Sequence, residues 1–77
     1  MPPKINPKDK RELGEALRTL RETAGLTQEQ AAEKVGVRSQ FVSEAERGVR
    51  GVSWDTIRAM LRAYGATLAD LGKLIDD

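Results

Sequence analysis

Two amphipathic runs lie almost end to end between Thr27 and Gly48, in the stretch TQEQAAEKVGVRSQFVSEAERG. Thr27 with Gln30 fits a capping box, in which hydroxyl and side-chain amide each satisfy a backbone N–H at a helix start. Ala31, Ala32 and Val35 supply the apolar face of that helix, and the paired alanines fit tight packing against a neighbour. Gly36 ends it. Only Val37 and Arg38 precede the next run, about Ser39 to Arg47, whose buried face is Val42 and Ala45. Gly48 closes this second run. Two helices joined by so tight a glycine-containing turn cross steeply, which is helix-turn-helix geometry.

The rest of the chain keeps the helical period. Leu13, Ala16, Leu17, Leu20 and Ala24 follow i, i+3, i+4, i+7 and predict a first helix over 7–23, with Gly25 at its C′ position. Gly14 inside it costs about 1 kcal/mol against Ala. It marks either a close approach of another helix or nothing. Ser53 caps a fourth helix over 54–64, with Asp55 in the first turn, where the dipole favours an anion. Its inner face is Ile57, Leu61 and Tyr64, and Gly65 closes it. Thr67 with Asp70 resembles another capping box, opening a fifth helix over 68–75 that carries Leu68, Leu71, Leu74 and Ile75. Nothing alternates with period two, so no strand is expected. The opening MPPKINPK holds three prolines and reads as an irregular, flexible arm over 1–6, ahead of one domain over 7–77.

Composition narrows the function. Seventy-seven residues allow a single domain of modest stability. Histidine and cysteine are both absent, so the usual acid–base, zinc and thiol constellations cannot be built. No phosphate-binding glycine pattern follows a predicted strand. An enzyme is not expected, and neither is a cofactor. No apolar run is long enough to span a membrane, and no signal-peptide pattern is seen. A cytoplasmic, nucleoid-associated protein fits. Net charge is only +1 but uneven: residues 1–25 carry six basic against four acidic side chains, and residues 66–77 carry one against three. A basic footprint for nucleic acid would therefore have to be local.

From Leu13 to Leu71, about three quarters of the length, the chain resembles the lambda-repressor-like, Cro-type helix-turn-helix family, also called the xenobiotic-response-element type. The resemblance rests on LGEALRTLRETAGLTQEQAAEKVGV, VSEAERG and SWDTIRAMLRAYGATLADL. It implies an all-α, compact five-helix DNA-binding domain with the helix-turn-helix at the second and third helices. In such folds the second helix crosses the DNA backbone and the third enters the major groove. Uncharged polar residues at the helix starts then suit free backbone amides that point at phosphates.

By the same resemblance, Thr27 and Gln28 contact phosphate, and Gln28 also braces the third helix. Arg38, Ser39 and Gln40 fall at the start of the recognition helix. Ser39, Gln40, Ser43 and Glu44 face base edges. Gln40 has the geometry to pair with adenine N6 and N7, and Glu44 to accept from cytosine N4. Arg47 and Arg50 reach the backbone near the following loop. Arg21 pairs with Glu46, joining the first and third helices. Two departures stand out. Arg38 takes a place where relatives often carry a Ser or Thr cap, so either Ser39 caps instead or the helix starts less well ordered. The recognition face carries Ser39, Ser43 and Glu44 where many relatives carry Arg or Lys, so a monomer is expected to bind DNA weakly.

Plainer readings stay open. Glu44 also fits a solvated helix charge, Arg47 and Arg50 ordinary loop residues, and Lys4 to Arg11 a frayed tail. Trp54 suits interface or core. Phe41 lies off the buried stripe and fits a thymine methyl, the DNA backbone or the second helix. Leu68, Leu71, Leu74 and Ile75 either close the core or form a symmetric dimer interface, and the homodimer is preferred. The expectation is a sequence-specific transcriptional regulator of repressor or controller type, reading a palindromic double-stranded operator as a homodimer. No small-molecule ligand is expected, because 77 residues leave no room for a sensing domain. The rival is an antitoxin-like or adaptor module with weak DNA binding and a protein partner such as a toxin.

Overall fold

The computed structural model describes residues 7–75. The expected arm over 1–6 lies outside the described residues, as do residues 76–77. Five helices follow one another: α1 Pro7–Thr23, α2 Gln28–Val35, α3 Ser39–Arg47, α4 Trp54–Ala63 and α5 Leu68–Ile75. The described residues contain no strand.

Local chemistry sets most of these boundaries. At α2 the Gln30 amide N–H donates to Thr27 Oγ1 at 3.1 Å, and the Thr27 N–H donates to Gln30 Oε1 at 2.9 Å. At α4 the Thr56 N–H donates to Ser53 Oγ at 3.2 Å. At α5 the Asp70 N–H donates to Thr67 Oγ1 at 3.1 Å, and the Thr67 N–H returns to Asp70 Oδ2 at 2.9 Å. Those donors hold the Asp70 carboxyl below its ordinary range, the backbone N–H of Thr67 first and its hydroxyl second. The three caps are those predicted from sequence. Tyr64 is the cap residue of α4 rather than its last helical residue. The start of α3 settles an open alternative: Arg38 is the N-cap, in extended backbone with no side-chain cap bond. Ser39 already lies inside the helix and does not replace it.

Between α2 and α3 the chain turns on Gly36, whose φ of 88° is in the left-handed region. An L side chain rarely adopts that conformation, so glycine permits the turn to be this short. The N–H groups of Gly36 and Val37 both return to the carbonyl of Ala32, at 2.8 and 3.0 Å. This double closure fixes the direction in which α3 leaves.

The core lies where α3 packs on α1 and α2, with α4 against α2 and α5 returning on α1. Leu17, Val42 and Met60 are its largest fully buried side chains. Ala16, Ala31, Ala32 and Ala45 let the backbones come close around them. Leu71 also enters this core at 3% exposure. Ala24, predicted on the apolar stripe of α1, is exposed because the helix ends at Thr23 and the chain is already turning.

Gly14 marks a close helix approach. A Cβ built there would sit 2.5 Å from the carbonyl oxygens of Ala45 and Glu46, both backbone atoms of α3. Backbone cannot swing aside as a side chain does. Gly14→Ala is therefore expected to destabilise by about 1–3 kcal/mol, the usual range for overpacking, although Ala is intrinsically the better helix former. Urea unfolding checks this, and a stabilised variant would show that the two helices separate freely.

Tyr64 closes the core beneath α1. Its ring is buried, and its Oη has no hydrogen-bond partner among the described residues. Burial raises the phenol, the Glu46 charge adds to this and Arg21 opposes it, giving a value of about 12. The folded value exceeds the unfolded one of about 10. The corresponding stability is present below pH ~10 and lost as pH rises toward ~12. Thermal melts across that range should show a steeper alkaline decline for the wild type than for Tyr64→Phe. At neutral pH the variant should be at least as stable, since no bond is removed.

Candidate nucleic-acid interface

The angle between α2 and α3 is held by a buried polar knot. Arg21 on α1 and Glu46 on α3 are 8% and 6% exposed. Arg21 Nε donates to Glu46 Oε2 at 2.6 Å, and its Nη2 donates to Oε1 at 3.1 Å. Its Nη1 donates to the carbonyl of Leu26 at 2.7 Å, in the connection before α2. Gln28 Nε2 donates to Glu46 Oε1 at 3.0 Å. Three helices thus converge on one carboxylate. Burial of both charges is compensated by bidentate geometry and by these extra donors. Glu46 keeps Arg21 firmly charged.

The starts of α2 and α3 both carry exposed or half-buried polar side chains. At α2, Thr27 Oγ1 accepts from Gln30 and keeps its own proton to donate. Gln28 is half-buried, and its amide has a second N–H beyond the one on Glu46. At α3, Arg38, Ser39 and Gln40 are all exposed. No side chain caps α3: the Phe41 N–H turns back to the Arg38 carbonyl at 2.9 Å, while the amides before it precede the first intrahelical acceptor. Such a start suits an anion or a base edge.

The family profile of the helix-turn-helix domain matches residues 12–74. The chain belongs to the helix-turn-helix domain family. Two solved structures are similar over most of their length. One is the clp gene regulator ClgR from Corynebacterium glutamicum, 35% identical, with a TM-score of 0.82, over 86% of this chain and 85% of that one. The other is the restriction-modification controller protein C.AhdI from Aeromonas hydrophila, 34% identical, with a TM-score of 0.80, over 84% of this chain and 94% of that one. No curated protein matches significantly. The lambda-repressor-like resemblance and the all-α, five-helix fold class both hold. The domain is a DNA-binding regulator rather than an enzyme, a conclusion that rests on the family. No helix among the described residues is long and apolar enough to cross a membrane.

On this helix-turn-helix domain the predicted residues divide into groups. Thr27 and Gln28 lie at the start of α2, and Arg38, Ser39 and Gln40 at the start of α3. Ser43 and Glu44 follow one turn along α3, half-buried, and Arg47 and Arg50 are exposed near its end. Glu44 is not a free surface charge. Arg50 Nε donates to its Oε1 at 2.9 Å, and Gln40 Nε2 lies 3.4 Å from Oε2. The Arg50 bond, then Gln40, holds the Glu44 carboxyl below its ordinary range. The Arg50 guanidinium also lies 5.0 Å from the centre of the Phe41 ring, within cation–π range. These residues, with Val37 and Arg38, line a shallow groove of about 260 Å³.

The proposed interface on α5 splits. Leu71 is core at 3% exposure, where α5 packs on α1, and so is unavailable to a partner. Leu68, Leu74 and Ile75 remain 53%, 45% and 37% exposed, and Trp54 on α4 is 53% exposed.

Glu46→Ala would leave the Arg21 guanidinium buried and uncompensated. It is expected to cost about 3–5 kcal/mol in denaturant unfolding. Replacing both partners, Arg21→Met with Glu46→Leu, should recover much of that loss. A single-variant cost within the ~0–1 kcal/mol typical of surface pairs would show that the knot does not hold the helices.

Proposed function

We propose that the chain is a sequence-specific transcriptional regulator of repressor or controller type, reading a palindromic operator as a homodimer. The observation that carries this reading is the exposed start of α3, which has no side-chain cap, on a helix that the Glu46 carboxylate ties to α1 through Arg21 and to the start of α2 through Gln28. Thr27 and Gln28 then meet one phosphate run. Gln40, Ser43 and Glu44 address base edges, Ser39 and Arg38 lie at the groove entrance, and Arg47 and Arg50 reach the flanking backbone. Two such helices placed about 34 Å apart enter successive major grooves. The exposed Leu68, Leu74 and Ile75, with Trp54 nearby, support pairing through α5. The reading places the protein in the cytoplasm on the nucleoid, with residues 7–77 as the working domain. Its regulator and controller neighbours are in keeping with it.

A second reading keeps the fold for protein binding, as in an antitoxin-like or adaptor subunit with a partner such as a toxin. The observation that favours it is the neutralisation of Arg50 by Glu44, which weakens the grip on phosphate.

Selection from a random duplex library at two salt concentrations tests the first reading. An enriched inverted repeat is expected, with binding that weakens as salt rises and is lost in Gln40→Ala/Ser43→Ala. Leu74→Lys/Ile75→Lys should sediment as a monomer with native helix content and lose at least an order of magnitude in operator affinity. No enrichment at low salt by folded protein would favour the protein-partner reading.

A further inference from the structure

The recognition face holds an arginine that is already neutralised within the molecule. Arg50 comes from the loop after α3, six residues beyond Glu44, yet its Nε lies 2.9 Å from Glu44 Oε1. Its guanidinium is set against the Phe41 ring, and Gln40 approaches the other carboxylate oxygen. Arg50 itself is exposed, while Glu44 and Phe41 are half-buried, so the pair lies at the surface with Gln40 and the Phe41 ring as further partners. Arg47 and Arg38, the neighbouring cations of this face, have no such carboxylate within bonding distance among the described residues.

We propose that Glu44 acts as an internal competitor for phosphate at Arg50, holding down the sequence-independent affinity of this face. The inference rests on the DNA reading above. Sequence-independent binding is driven by cations that displace counterions from phosphates. An Arg50–Glu44 pair has no net charge, so on reaching the backbone it displaces no counterion. Contacts made by Gln40 and Ser43 to base edges do not depend on that charge. Their share of the total affinity rises as the non-specific part falls, and the ratio of specific to non-specific binding rises with it. Glu44 is thus a specificity-determining residue whether or not it touches a base.

The test is a cycle of Glu44→Gln, Arg50→Gln and the double variant in the full chain. It is read as binding to random-sequence duplex across a salt series. Glu44→Gln keeps the shape and removes the charge. It should bind several-fold tighter and steepen the log–log salt slope by about 0.9, the increment for one added phosphate contact. Arg50→Gln alone should change the slope little, and the double variant should return to the wild-type slope. An equal gain from Glu44→Gln in the Arg50→Gln background would reveal plain charge repulsion and overturn the proposal. Binding with an unchanged slope would overturn it while leaving the DNA reading intact. Failure of both wild type and Glu44→Gln to bind duplex at low salt would overturn both. A carbon-detected NMR titration reads the pair without DNA: the Glu44 carboxyl should titrate below the usual range and return upward in Arg50→Gln. A carboxyl indifferent to Arg50 would also overturn the proposal.

Discussion

Everything on the binding face depends on one buried carboxylate. Glu46 is contacted by a guanidinium from α1 and an amide from α2, while itself belonging to α3. A buried charge is costly unless it is fully paired, so the three helices are constrained to the arrangement that supplies every donor. The same constraint explains why α1 carries glycine at position 14. Arg21 reaches Glu46 because α1 and α3 are in near-contact of backbones, and only a residue without Cβ permits that approach. Polar knot and small-residue contact are thus two parts of one geometry. Hydrophobic burial around Leu17, Val42 and Met60 supplies stability, and the ion pair supplies direction.

The helix starts show a division of labour. α2, α4 and α5 each begin with a side-chain cap that satisfies the first amides internally. α3 has no side-chain cap, and Arg38, Ser39 and Gln40 at its start are exposed. A cap on α3 would stabilise the monomer by about 1 kcal/mol, and on the proposed reading it would place a competing oxygen where a phosphate or base would sit. Local rules are broken at functional positions more often than elsewhere, which is in keeping with that proposal.

The fold was almost wholly legible in the sequence, since most helix boundaries are set by short-range chemistry. Thr27 with Gln30, Ser53, and Thr67 with Asp70 announce their caps within four residues, and Gly36 announces the turn. What the sequence left open depended on contacts between distant segments. Gly14 left a close helix approach and no role at all both open, because its partners, Ala45 and Glu46, lie some thirty residues on. Met60 joined the core although the expected stripe ran through Ile57, Leu61 and Tyr64. The Arg21–Glu46 pair was reached through family resemblance and not from spacing. On α3, the Gln40–Glu44 contact was not expected, although their i, i+4 spacing is a local signal for it. The Arg50 bond crosses a loop and had no local signature. Leu71 and Leu74 illustrate the limit of a one-dimensional apolar pattern: three residues apart on one short helix, one enters the core and the other stays exposed.

Size connects these features. A chain of 77 residues has a small core, and it devotes part of its interior to an ion pair rather than to apolar packing. It also leaves its recognition helix uncapped and one of its recognition-face arginines neutralised. Each choice lowers what a single copy achieves alone, in stability or in grip on DNA. A second copy paired through the exposed part of α5 would restore both at once. Burial of Leu68, Leu74 and Ile75 adds apolar area, and two linked recognition helices multiply weak half-site contacts through effective concentration. On that proposed pairing, weak single-copy binding would make recognition depend on two correctly spaced half-sites.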